Sequence, residues 1–250
     1  MGSFANVVIL RLPEGKSIAT PRSQCPQCQS FIKWYDNIPV FSWFALKGLC
    51  RSCKSNISWR YPLVEFLMGV LFLAVYLRFS NFDLINWNVL EGLIFVFGLL
   101  TVSMIDFDHM ILPDVFTLSG IVIGLLGSLF SIERTLLDSF LGVLFGGGFL
   151  WLIAYLYFVF KKEDGMGGGD IKLLAWIGAI LGWQAIPFVI LSSSLLGTIV
   201  GLALAIKTKG GLKTKIPFGP YLALGAVIFL LSGDFRNIYI LQFFPWLEPS

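Results

Sequence analysis

Long apolar stretches separated by short polar breaks dominate this chain. A membrane helix needs about 20 mostly apolar residues, and six stretches approach or exceed that length: 62–79, 89–105, 115–132, 139–160, 173–206 and 216–233. The fifth is too long for one crossing. Gly182, Trp183 and Gln184 interrupt it, with Pro187 just beyond, and turn residues inside an apolar run mark a break. Split there, the pattern predicts about seven full transmembrane helices. Residues 2–10 are apolar but too short to cross, and they lack the basic leading region of a signal peptide. They read as a partial first helix or a short interfacial segment.

Composition agrees. Of 250 residues, 56% are hydrophobic and only 13% charged, with a mean hydropathy of +0.81. A soluble domain carries about 25% charged residues, so a soluble globular enzyme, a disordered chain and a coiled-coil rod are all excluded. The expected fold class is an all-α polytopic membrane protein. The net charge of +3 gives no reason to expect nucleic-acid binding. Its distribution is more telling, because cytoplasmic loops are rich in Lys and Arg. With segment 11–60 inside and seven crossings after it, the loops 161–172 and 207–215 also face the cytoplasm. Of the 18 basic residues, only Arg78, Arg134 and Arg236 then lie outside.

Four cysteines fall in the first cytoplasmic segment, as Cys25-Pro26-Gln27-Cys28 and Cys50-Arg51-Ser52-Cys53, with 21 residues between the pairs. Two C-x-x-C turns can close a four-thiolate, zinc-ribbon-like site with no open coordination position. A reducing compartment disfavours disulfides. The pattern predicts one structural Zn2+, held by Cys25, Cys28, Cys50 and Cys53, that folds the loop and does no chemistry. The expected division is a partial helix over 1–10, a zinc-binding domain over 11–60 and a membrane domain over 61–250.

Ionisable residues at membrane depth are costly and point to function. Asp106 ends the 89–105 stretch and opens a segment that also holds Asp108, His109 and Asp114. Asp170 closes the run Gly165-Met166-Gly167-Gly168-Gly169-Asp170. The charge-derived topology puts both on the cytoplasmic side. Two facing carboxylates sharing one proton form a general acid–base pair acting on water, which is aspartic-protease chemistry. The glycines suit a close backbone approach or a positive φ. On sequence physics alone other readings stay open. Asp108 and Asp114 compete with Asp106, Asp114 can cap the next helix, Asp170 can be a solvated charge or an N-cap, and His109 reads as a solvated boundary residue.

These motifs together resemble the type IV prepilin peptidases, GxGD-type aspartic membrane proteases that are also N-methyltransferases. The resemblance runs through Gly2-Ser3-Phe4-Ala5-Asn6-Val7-Val8, Arg11-Leu12-Pro13, the four-cysteine loop and Ser58-Trp59-Arg60-Tyr61-Pro62-Leu63-Val64-Glu65. It continues through Ile105-Asp106, Leu112-Pro113-Asp114, Gly167-Gly168-Gly169-Asp170 with Lys172, and Pro217-Phe218-Gly219-Pro220. It implies that Asp106 and Asp170 are the catalytic pair. It implies prepilin or pseudopilin substrates of a pilus, secretion or competence system, cut at the cytoplasmic face of the bacterial inner membrane. It further implies methylation of the new N-terminus from S-adenosylmethionine. The cytoplasmic loop and its border, including Glu65, are the suggested region for that donor, with a dipole-stabilised helix-start carboxylate as the plainer reading of Glu65. The rival classes are a polytopic transporter and a non-catalytic pilus-assembly scaffold. The aspartates sit at the membrane edge rather than the midplane, which disfavours the transporter.

Overall fold

In a computed structural model, residues 1–25, 27–80, 86–131, 134–163, 167–207, 216–233 and 242–244 are described. The basic residues Lys209, Lys213, Lys215 and Arg236 used for the orientation lie outside these residues, as do Gly165 and Met166. Helices run as α1 (Gly2–Arg11), α2 (Phe41–Ala45), α3 (Arg60–Phe79), α4 (Trp87–His109), α5 (Asp114–Gly127), α6 (Leu136–Lys161), α7 (Gly168–Leu181), α8 (Ala185–Lys207) and α9 (Gly219–Leu231). The fold is all-helical, with two isolated β-bridges inside the cysteine loop.

The seven expected apolar segments each carry a helix, but their lengths differ from the expectation of seven full crossings. α3, α4, α6 and α8 are long and apolar enough to span a membrane. α5, α7 and α9 have 14, 14 and 13 residues, about 20 Å at 1.5 Å per residue, against a hydrocarbon core of about 30 Å. The reason is local. Pro113 precedes α5, and the turn after Gly127 closes it. Gly182 at φ +81° ends α7 where the break was expected, and α8 resumes at Ala185 with Pro187 in its first turn. For α5 and α9 apolarity runs on past the helix ends, so those stretches are longer than the helices they hold, whereas α7 begins ahead of its stretch, at Gly168.

α7 is the central helix. Its residues Leu173 to Ile180 are buried without interruption. Glycines let its neighbours close on it. An ideal Cβ at Gly142 of α6 would lie 2.1 Å from the carbonyl oxygen of Gly178, and one at Gly178 would lie 2.1 Å from that of Gly142. Gly146 meets the Leu174 carbonyl in the same way. α6 buries only Ser139, Gly142, Gly146 and Leu150, one stripe at three- to four-residue spacing. Its large side chains, among them Phe140, Phe149, Trp151 and Leu156, face outward. Small residues inside and large ones toward lipid suit a membrane, where close backbone approach rather than water exclusion drives helix association. On the opposite flank, Trp176 fills the hollow left by Gly98 of α4 and Gly120 of α5 and is 2% exposed.

At the end of the bundle away from the aspartates, a buried ion pair joins the elements. Arg134 meets Glu91 at 2.8 Å and also donates to the carbonyls of Gly124 and Ile180. α1 packs on α3 and α4 through Ala5, Ile9, Val64, Met68 and Ile105.

Candidate active site

Asp106 sits in the last turn of α4, which stops at Met110 in the left-handed conformation. It is 5% exposed, whereas Phe107, Asp108, His109 and Met110 beside it are all exposed. Its two rivals have other partners. Asp108 pairs with Arg60 at 2.6 Å, and the same guanidinium donates to the Met104 carbonyl, fastening the start of α3 to the end of α4. Asp114 pairs with Lys172 at 2.7 Å, fastening α5 to α7. Asp114 is not an N-cap: Pro113 holds that position and Asp114 lies in the first turn.

Asp170 likewise lies in the first turn of its helix, α7, and Gly167 occupies the N-cap position. It is half-buried, and Asp106 lies close enough to act on it electrostatically. Leu112 packs between Gly169 and Gly219. An ideal Cβ at Gly169 would lie 2.9 Å from Leu112 Cβ, so this glycine serves close approach, and the described glycines of the run, Gly167 to Gly169, have no positive φ. On the other side Leu112 Cδ2 lies 3.2 Å from the Cβ position of Gly219.

Gly219 opens α9 and completes the site. Its backbone N–H donates to Asp106 Oδ2 at 3.0 Å, a buried bond between residues 113 positions apart. A Cβ there would sit 2.6 Å from that same oxygen. Sequence reasoning noted Pro217-Phe218-Gly219-Pro220 only as a motif. Its contact with Asp106 comes from packing, and the one available signal was a proline-flanked glycine at the start of an apolar helix. Three helix ends therefore converge: the C-terminus of α4 and the N-termini of α7 and α9.

The cysteine loop forms two matching turns. The Cys25 N–H donates to the Ser30 carbonyl, and Gln29 donates back to Cys25. Cys50 and Ser55 repeat the first bond, and Lys54 and Cys50 the second. Gln29 and Lys54 occupy equivalent left-handed positions. All four Sγ atoms lie within 4.8 Å of one another, and Cys25 Sγ is 3.8 Å from Cys53 Sγ. A tetrahedron with Zn–S bonds of about 2.3 Å has sulfurs about 3.8 Å apart, so the donor set fits zinc, and no disulfide is present. The N–H groups of Cys28 and then Gln27 hold the Cys25 thiol down at about 6, toward the thiolate that binds a metal.

Glu65, one turn into α3, ties this loop to the bundle. Its carboxylate accepts from Ser3 Oγ and from the N–H of Val40, a residue held at φ +61°.

Fold and site together define a polytopic helical membrane protein with a carboxylate pair at one end of the bundle and a four-thiolate loop. Residues 1–79 match the Bacterial Peptidase A24 N-terminal domain, and residues 93–202 match the Type IV leader peptidase family. The chain is 38% identical over 268 residues to the prepilin leader peptidase/N-methyltransferase of Stutzerimonas stutzeri, covering 97% of this chain and 91% of that one. The proteins of the same name from Pseudomonas aeruginosa and Aeromonas hydrophila are 39% and 40% identical. These alignments cover 97% and 94% of this chain, and 90% and 88% of the relatives. No solved structure matches. The chain belongs to the type IV leader peptidase family.

Proposed function

We propose that this protein cleaves the basic leader from type IV prepilins or pseudopilins and then methylates the exposed N-terminus. Asp106 and Asp170 act as the catalytic pair at the cytoplasmic face of the bacterial inner membrane. The observation that carries the reading is the convergence of α4, α7 and α9, which buries Asp106 and sets Asp170 beside it while Asp108 and Asp114 are spent on ion pairs. A prepilin keeps its leader in the cytoplasm and its apolar helix in the lipid, so its scissile bond lies at the depth of these helix ends.

The chemistry follows from the pair. One carboxylate takes a proton from water as the water oxygen attacks the scissile carbonyl. The other, protonated, gives its proton to the departing amine. The Gly219 amide fixes one oxygen of Asp106, which suits Asp106 to the role of base. In this reading residues 11–60 form a zinc-binding domain on Cys25, Cys28, Cys50 and Cys53, residues 61–250 form the peptidase domain, and lipid covers the outward side chains of α6 and α8. S-adenosylmethionine supplies the methyl group to the new amine.

The test is co-expression with a prepilin. Wild-type protein removes the leader, and Asp106→Asn and Asp170→Asn protein, inserted and folded, leaves it on. Cleavage by either variant at the wild-type rate overturns the pair.

A further inference from the structure

The cysteine loop carries a helix with its faces reversed. In α2 the buried residue is Ser42, whose hydroxyl donates to the Tyr35 carbonyl. Trp43 also turns into the loop, where its indole N–H donates to the Ile57 carbonyl and its ring packs on Gly48. Phe41 and Phe44, one turn apart, point out instead and are 69% and 66% exposed. Ile38, three residues ahead of Phe41, is exposed as well. A loop free in water turns such side chains inward, and an apolar patch left outside marks a contact surface.

The position of the patch says what covers it. The N–H of Val40, next to Phe41, donates to the Glu65 carboxylate at 2.8 Å, and Ser3 of α1 donates to the same carboxylate. Glu65 lies about 7.5 Å along α3 from Arg60, at 1.5 Å per residue. α3 has 20 residues, about 30 Å in all, which only just matches the hydrocarbon thickness of a bilayer. Its first turns therefore cannot be raised clear of the membrane boundary. Phe66, the residue after Glu65, opens the exposed stripe Phe66, Val70, Leu73 and Leu77, whose spacing is that of one helix face. The patch on α2 thus adjoins a face turned to lipid. Charge agrees: residues 31–60 hold five basic side chains and one acidic one, and basic segments beside a membrane helix favour the anionic cytoplasmic leaflet.

We propose that α2 and Ile38 are seated in the cytoplasmic leaflet, with Ile38, Phe41 and Phe44 at the boundary between headgroups and acyl chains. An interfacial segment buries its apolar face about 5–10 Å into that boundary, the depth at which Glu65 holds Val40. The two donors to Glu65 answer a need of the same place, since a carboxylate taken from water must keep its hydrogen bonds. The cysteine loop is then a membrane-bound module rather than one free in the cytoplasm, and this contact is independent of any reaction the protein performs.

Photocrosslinking tests it. p-Benzoylphenylalanine is placed at position 41, at position 44 or, for comparison, at position 54 of the second cysteine turn. The purified full-length protein is held in nanodiscs of phosphatidylethanolamine and phosphatidylglycerol. Metal content and unfolding temperature equal to wild type confirm the fold, and position 38 replaces either aromatic position that fails this check. After irradiation the mass of the intact protein should rise by one phospholipid at positions 41 and 44 and stay unchanged at 54. Lipid adducts that are absent at the aromatic positions, or no more frequent there than at 54, overturn the proposal. So does a crosslink to a second copy of the chain, which makes the face a contact between protomers.

Discussion

Asp106 differs from Asp108 and Asp114 in what surrounds it, not in residue type. Sequence physics left the three in competition, and only the family resemblance chose among them. In the structure their surroundings differ: one carboxylate is buried against the Gly219 amide, and the other two are paired with Arg60 and Lys172. None of these partners is near in sequence, which is why local reading could not decide. Removing a proton-transfer group costs about 10²- to 10⁴-fold, so Asp106→Asn or Asp170→Asn should lower prepilin cleavage by at least about that range, read by a gel shift of the pilin. Asp108→Asn and Asp114→Asn should stay within about tenfold of wild type. Gly219→Ala is the sharper case. Its Cβ falls 2.6 Å from Asp106 Oδ2, and a catalytic group displaced by about 1 Å loses about 100-fold. We expect that fall in kcat with little change in KM. Relieving the Leu112 contact by a second substitution, Leu112→Ala, should not restore it, since the clash with the carboxylate remains.

The helices were legible in place but not in length. Hydropathy located all seven apolar segments, and the Gly182 break fell where expected, because turn residues act locally. It overestimated α5 and α9, since the apolar run continues past the helix ends, as at Leu129 and Phe130 after α5. It was also blind to the glycine seams. Gly142, Gly146 and Gly178 read as ordinary members of apolar runs, yet all three sit where the backbones of α6 and α7 meet. Overpacking a tight interface costs about 1–3 kcal/mol, and a Cβ 2.1 Å from a carbonyl oxygen belongs at or above the top of that range. Gly178→Ala should therefore lower the unfolding temperature in detergent and the yield of folded protein, whereas Gly148→Ala, with open space around it, should change neither. At the far end, Arg134→Ala would strand Glu91 in a buried position, and breaking such a pair costs about 3–5 kcal/mol. The same thermal measurement should show that loss.

The cysteine spacing described the assembled loop well, because it is written in short turns. The four thiols meet as the C-x-x-C pattern implied, and metal analysis of purified protein should find one zinc per chain, with Cys25→Ser losing the metal and loosening the loop. What the sequence could not reveal was how the loop joins the bundle, through Glu65, Ser3 and Val40, since that joint spans three separate segments. The account of a protein that cuts and then methylates pilins at one membrane face comes down to a single readout: the mass of the N-terminal peptide of a prepilin co-expressed with this protein or with its Asp106→Asn variant. The wild type should yield a pilin lacking its leader and carrying one added methyl group, and the variant should yield the intact precursor. An intact leader with folded wild-type protein, or a processed pilin with the variant, would contradict it.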